Sequence, residues 1–244
     1  MSDSKPEVLY KYRSINKFTL DTLVSNQIYF PTPAKFNDPF DTKCSFSKSI
    51  EEASYEEAKR VFGSDTDNMH LFKAGGSKSA AIDKFIQELS QKGILSLCET
   101  KNNQLLWAHY ASNHTGICIG FEVSNENSLG DSKHTHKVNY TESYPSISQK
   151  SLGSPRQRKE AQHRVLHTKS KLWSYEQEWR CIYSEGDKEY DVPGRICEIN
   201  FGCRTTNSDK SLIKRILAGS NLKFYQAEMK QNDFGLKFRL AREF

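Results

Sequence analysis

Residues 116–123 read GICIGFEV. The run is almost continuously apolar and rich in β-branched residues, which predicts a strand buried on both faces, near the middle of a sheet. Just before it, NNQLLWAHYASNH (102–114) places Leu105, Leu106, Trp107 and Tyr110 at helical spacing, and GILSLCE (93–99) reads as a further strand. On the other side HKVNY (136–140) is a short strand, and a basic helix over 156–169 leads into EWRCIY (178–183). RICEINFG (195–202), LKFYQAEM (222–229) and FGLKFRLA (234–241) supply three more strands around a helix near 211–217. At the N-terminus EVLYKYR (7–13) is a strand, FTLDTLVSN (18–26) a short helix, and QIYF (27–30) a strand stopped by Pro31. Apolar residues recur with helical period over 50–62 and 77–92, and Gly93 ends the second of these. Strands outnumber helices without the even alternation of a doubly wound sheet. The expectation is an α+β fold, a mixed or split β-sheet core with surrounding helices, as a single domain over residues 1–244.

Composition narrows the class. With 244 residues, 36% hydrophobic, and 14 Phe and 11 Tyr, there is enough apolar material for a sizeable core. No run approaches the roughly 20 apolar residues of a membrane span, and MSDSKPEV carries no apolar signal core, so a cytoplasmic protein with no membrane association is expected. The six cysteines are scattered, none in a C-x-x-C, and several fall in apolar strands, which points to reduced thiols and to neither disulfides nor zinc. The net charge of +5 is unevenly spread. Lys150, Arg156, Arg158, Lys159, Arg164, Lys169 and Lys171 face the single acid Glu160, a local excess that would attract a nucleic acid or other polyanion unless it is simply a solvated helix face.

Several clusters could carry chemistry. LWSYEQEWRCIY (172–183) sets Glu176 and Glu178 two positions apart at the mouth of a strand, with Arg180 two further on. They are either a carboxylate aimed into a cleft or charges on the polar face of a half-buried strand. LYKYR ends in Arg13 beside Tyr12, an arginine able to clasp a phosphate or to face solvent. FNDPFD (36–41) contains Asn37 and Asp38 before a proline, an Asx-type turn; Asp38 and Asp41 alone do not complete a magnesium site, and no metal is expected. Ser96 lies two positions from Cys98 on one strand face, while Trp107, His109, Tyr110 and His114 cluster nearby. His163 and His167 are spaced as a helical metal pair, but Arg164 stands where a zincin motif would place an acid.

KYRS near the N-terminus, IYFPTPAKFNDPFD, LSLCETKNNQLLWAHYASNHTGICIGFE and KLWSYEQEWRCIY follow the order and spacing of a bacterial family, domain of unknown function 2971, which the chain resembles over nearly its whole length. More distantly, the block order is similar to that of ADP-ribosyltransferases. These place an Arg or His on the first core strand, a Ser, Thr or Tyr on a middle strand, and a Glu, often within E-x-E, at the start of a later one. The resemblance implies that Arg13, with Tyr12, binds NAD⁺, that Ser96 is the middle-strand residue, and that Glu178 is catalytic with Glu176 as first acid of E-x-E. Ser96 is not within an S-T-S, and FNDPFD has no counterpart in that pattern.

The chemistry suits these residue types. Breaking the nicotinamide–ribose bond builds positive charge on the ribose, which a fixed carboxylate stabilises. Arg13 would hold the pyrophosphate, and Tyr110, Trp107 and His109 would form the nucleotide wall, with Asn37 and Asp38 as further binding residues. The first expectation is therefore an NAD-dependent ADP-ribosyltransferase or NAD glycohydrolase, with NAD as substrate. By analogy it would be a toxin or phage-defence effector with an antitoxin or defence-system partner, and residues 150–171 would favour a polyanionic acceptor. A second is a metal-independent nuclease or RNA-binding effector using His109, His114, Arg180 and the basic helix. A third, a recognition module without catalysis, requires that Arg13, Ser96 and Glu178 do not share one cleft.

Overall fold

The computed structural model describes residues 5–48 and 80–241, which form two compact units with interleaved segments. In chain order the strands are β1 (Val8–Arg13), β2 (Gln27–Phe30), β3 (Ser45–Phe46), β4 (Gly93–Cys98), β5 (Ile117–Glu122), β6 (Thr135–Lys137), β7 (Asn139–Thr141), β8 (Ser146–Ile147), β9 (Thr168–Ser170), β10 (Glu178–Tyr183), β11 (Lys188–Asp191), β12 (Ile196–Phe201), β13 (Lys223–Met229) and β14 (Leu236–Leu240). The helices are α1 (Lys17–Ser25), α2 (Ala80–Ser90), α3 (Gln104–Tyr110), α4 (Gln149–Leu152), α5 (Pro155–Leu166) and α6 (Asn207–Ile216). The helix expected over 50–62 lies outside the described residues.

The first unit, residues 5–31, 93–138 and 172–241, carries an eight-stranded sheet in the order β14-β13-β12-β5-β1-β4-β10-β6. The sheet is mixed: β12 and β13 run parallel, joined through α6, and the other described pairs are antiparallel. As its apolar sequence predicts, β5 sits inside the sheet, paired with β1 on one side and β12 on the other. Between β1 and β4 the register holds at Tyr10 and Cys98. Beyond that point the Lys11 ammonium donates to the Ser96 carbonyl at 2.7 Å, so a side chain takes up the ladder where the strands part.

Side-chain alternation gives the sheet two faces. Leu9, Leu95, Leu97, Ile117, Ile119, Phe121, Trp179, Ile199 and Phe201 pack with Leu23 of α1 and Ile213 of α6 into the larger core. The opposite face packs Tyr12, Cys98, Cys118 and Ala227 against Leu106, Trp107 and Ala111 of α3 and its C-terminal turn. α3 starts where Asn103 accepts from the amides of Leu105 and Leu106. It stops at Tyr110 rather than running to residue 114, because Ser112, Asn113 and His114 all adopt positive φ (48°, 53° and 69°) and turn the chain into β5.

The second unit, residues 32–48, 80–92 and 139–171, contains α2, α4 and α5 with the two-stranded pairs β3–β8 and β7–β9. Ile82, Phe85, Leu89, Ile147, Ala161, Val165 and Leu166 are buried in it. HKVNY is two strands rather than one: β6 joins β10, while β7 pairs with β9. All six cysteines are free thiols. Among the described residues no helix is long and apolar enough to cross a membrane.

Candidate functional site

The E-x-E turn owes its shape to Gln177. This residue has φ 47° and is exposed, whereas Glu176 before it and Glu178 after it are buried. A left-handed non-glycine residue is a strained choice, and it is what turns the carboxylates on either side of it, two positions apart, inward. The turn is anchored from outside: the Glu99 amide donates to the Gln177 carbonyl, and the Asn103 side-chain amide, from the α3 cap, donates to the Tyr175 carbonyl.

Each acid has its own donor. The Tyr110 hydroxyl donates to Glu176 Oε1 at 2.8 Å. Glu178 is clasped by Arg180 of the same strand face, Nε to Oε1 at 2.8 Å and Nη2 to Oε2 at 3.2 Å. The guanidinium is 0% exposed and the carboxylate 3%. A half-buried strand with a polar outer face is thereby corrected: Glu178, Trp179, Arg180 and Cys181 are all buried, so β10 is covered on both faces. Burial pushes the Cys98 thiol up to about 12, against a hydrogen bond to Thr100, and the Glu99, Glu176 and Glu178 charges add to the rise.

Ser96 pairs directly with Arg180 across β4 and β10, so it belongs to the same face as Glu178. Arg13 does not. It alternates with Tyr12, shares the face of Leu9 and Lys11, and its burial lowers the guanidinium pKa. Arg13, Ser96 and Glu178 therefore divide between the two sides of the sheet.

Tyr12 and Trp107 are core residues, packed edge to face at 5.2 Å, with the Tyr12 hydroxyl donating to the Thr100 carbonyl and the indole N–H to the Lys101 carbonyl. His109 is exposed beside Tyr110. His114 instead stacks toward Trp107, its Nδ1 buried without a partner among the described residues, and burial followed by the Arg204 charge lowers its pKa. Asn37 and Asp38 belong to the second unit, where Asp38 accepts from the Phe40 amide as the turn reading expects. There too the basic segment is largely matched by acids: Arg156 with Glu160, Arg158 with Glu88, Lys169 with Asp41 and Lys171 with Glu142. Among the described residues no three His, Cys, Asp or Glu side chains group as metal ligands.

The same sheet face holds a second charged centre that sequence reasoning missed. Glu178, Cys98, Tyr10, Gly120 and Glu198 are successive register partners across β10, β4, β1, β5 and β12. Four strand steps of about 4.8 Å put the two glutamates roughly 19 Å apart. Glu198 accepts from Lys101 at 2.8 Å and from the Asn200 amide at 3.0 Å. Its sequence signal is a lone acid at an inward position of the apolar strand ICEINF.

A protein-family model described as Protein of unknown function (DUF2971) matches residues 106–181, from α3 into β10. The matched part contains Tyr110, Glu176, Glu178 and Arg180, and leaves Arg13 and Ser96 outside. No curated protein and no solved structure matches the chain.

Proposed function

We propose that the chain consumes NAD⁺, as an ADP-ribosyltransferase or NAD glycohydrolase, at the sheet face that carries Glu176 and Glu178. The observation that carries this reading is the outward, left-handed Gln177 between two inward carboxylates, each already held by a donor. Cleavage of the ribose C1′–N1 bond sends its electron pair to the nicotinamide, which leaves neutral, while positive charge grows on the sugar. A preorganised carboxylate lowers the energy of that charge without reorganising in the reaction. Glu176, oriented by Tyr110, is the less enclosed acid. Glu178, clasped by Arg180, holds the turn. Ser96 offers a hydroxyl on the neighbouring strand. Water or an acceptor nucleophile then bonds to C1′ and gives up its proton. Lys150 and Lys159, both exposed on the basic segment, would favour a polyanionic acceptor, and a toxin or phage-defence role with an antitoxin or defence-system partner accords with such an activity.

A second reading, recognition without catalysis, draws support from the placement of Arg13 on the opposite face and from the closed Glu178–Arg180 pair. Release of free nicotinamide from NAD⁺ separates the two. The NAD⁺ reading expects release by the wild type and a fall of about 10²–10³ in Glu176→Gln and Glu178→Gln. Folded wild type that neither binds NAD⁺ nor releases nicotinamide, with or without bacterial lysate, would leave recognition in possession.

A further inference from the structure

The centre around Glu198 has the construction of a cation receptor. Lys101 Nζ stands 4.1 Å from the ring centre of Tyr225, 5.2 Å from Phe238 and 5.9 Å from Tyr10. Three aromatic rings around one ammonium, with a carboxylate at 2.8 Å, is the arrangement by which proteins recognise organic cations through ring quadrupoles. Gly120 makes the floor. A Cβ there would come within 2.6 Å of Glu198 Cγ and 3.3 Å of Tyr10 Cε1, so the absent side chain lets acid and ring close over β5.

Two features exceed what an internal ion pair needs. Asn200 is 0% exposed and gives its amide protons to Glu198 and to the Cys118 carbonyl, yet its Oδ1 is buried with no hydrogen-bond partner among the described residues. Such an orphaned acceptor beside a cation cage has a cost that a bound donor would remove. The resident, moreover, is replaceable: Lys101 sits in the connection between β4 and α3, not in a helix or strand, and 22% of its side chain is exposed.

We propose that Tyr10, Tyr225, Phe238, Glu198 and Asn200 form a binding site for an organic ammonium group of an external ligand, which Lys101 occupies in its absence and must leave for the ligand to enter. The site lies on the same sheet face as the E-x-E turn but four strands away, so the proposal stands apart from the NAD⁺ reading. Displacement would also be felt there, because the connection that carries Lys101 bonds through the Glu99 amide to the Gln177 carbonyl.

The test is titration of the full chain with methylammonium chloride against sodium chloride at equal ionic strength, followed by NMR of the aromatic and lysine side chains. Wild type is expected to show saturable shifts at Tyr10, Tyr225 and Lys101 with methylammonium and none with sodium. Lys101→Gln removes the competitor and should bind about tenfold tighter or better, since occupation by the lysine reduces apparent affinity by the fraction of time the cage is closed. Adding Tyr225→Ala should abolish the shifts. A folded Lys101→Gln protein that responds alike to both salts overturns the proposal. If that variant does not fold, the wild-type titration decides, and absence of selective shifts at the cage overturns it equally.

Discussion

Two glutamate ion pairs share one face of the sheet, and depth is what separates them. Glu178 and Arg180 are 3% and 0% exposed, with both carboxylate oxygens taken by one guanidinium two residues along the same strand. Glu198 and Lys101 are 11% and 22% exposed, and the cation arrives from a connection distant in sequence on a flexible four-carbon stem. The first pair is a fixture, because separating it would strand a charge in a dry interior. The second can exchange its cation. One face thus offers a rigid carboxylate turn and a replaceable cation, an asymmetry that mutations should expose.

The largest effect is expected at the closed pair. Arg180→Met takes the guanidinium away from the buried Glu178 carboxylate, and should cost about 3–5 kcal/mol in a denaturant titration, whereas Arg180→Met with Glu178→Leu should recover most of that loss. Equal cost in the single and double variants would show that the pair is not what binds the strand there. Next comes the floor of the open centre: Gly120→Ala should cost about 1–3 kcal/mol by pushing Glu198 away from Tyr10, with no change at the E-x-E turn. At Gln177 the backbone decides. Gln177→Gly should be tolerated and Gln177→Val should lose about 1–2 kcal/mol, since a β-branched residue pays most at positive φ. A reversed order would remove the strained-turn account.

The smallest effect is electrostatic. Burial lowers the His114 pKa from 6.5, so the unfolded chain takes up a proton first as pH falls. Stability is fully present above about 6.5 and declines as pH drops through that value toward the lowered folded one. Comparison of wild type with His114→Gln at pH 7.5 and 5.5 should show a smaller acid-side loss in the variant. His163, likewise lowered by burial, retains its share in both.

Much of the fold is legible because the long strands announce themselves. GICIGFEV is apolar enough that only a buried sheet accommodates it, EWRCIY and ICEINF alternate with the period of a strand, and β5, β10 and β12 follow. The short pairs β3–β8 and β7–β9 escape reading, since strands of two or three mostly polar residues take their conformation from a partner that local sequence does not name. Ser112, Asn113 and His114 extend a helical pattern on paper, yet three left-handed residues in succession end it. Of the candidate site, the paired acids at a strand mouth are readable, and so is Ser96 beside them. The clasp of Arg180 on Glu178 is not, because a period of two tells which residues share a face without telling whether that face is covered. The position of Arg13 was readable in principle: its alternation with Tyr12 puts it opposite any site that Tyr12's face contains. The cation cage draws on β1, β12, β13, β14 and the β4–α3 connection, and nothing short of the register brings them together.

Calorimetric titration of NAD⁺ into wild type, Tyr110→Phe and Arg13→Lys tests most directly the claim that the nucleotide site lies on the Glu176–Glu178 face. The account predicts binding to wild type and to Arg13→Lys alike, and a clear loss in Tyr110→Phe, where Glu176 gives up its orienting hydroxyl. Binding that survives in Tyr110→Phe but fails in a folded Arg13→Lys protein would contradict it and place the nucleotide on the other side of the sheet.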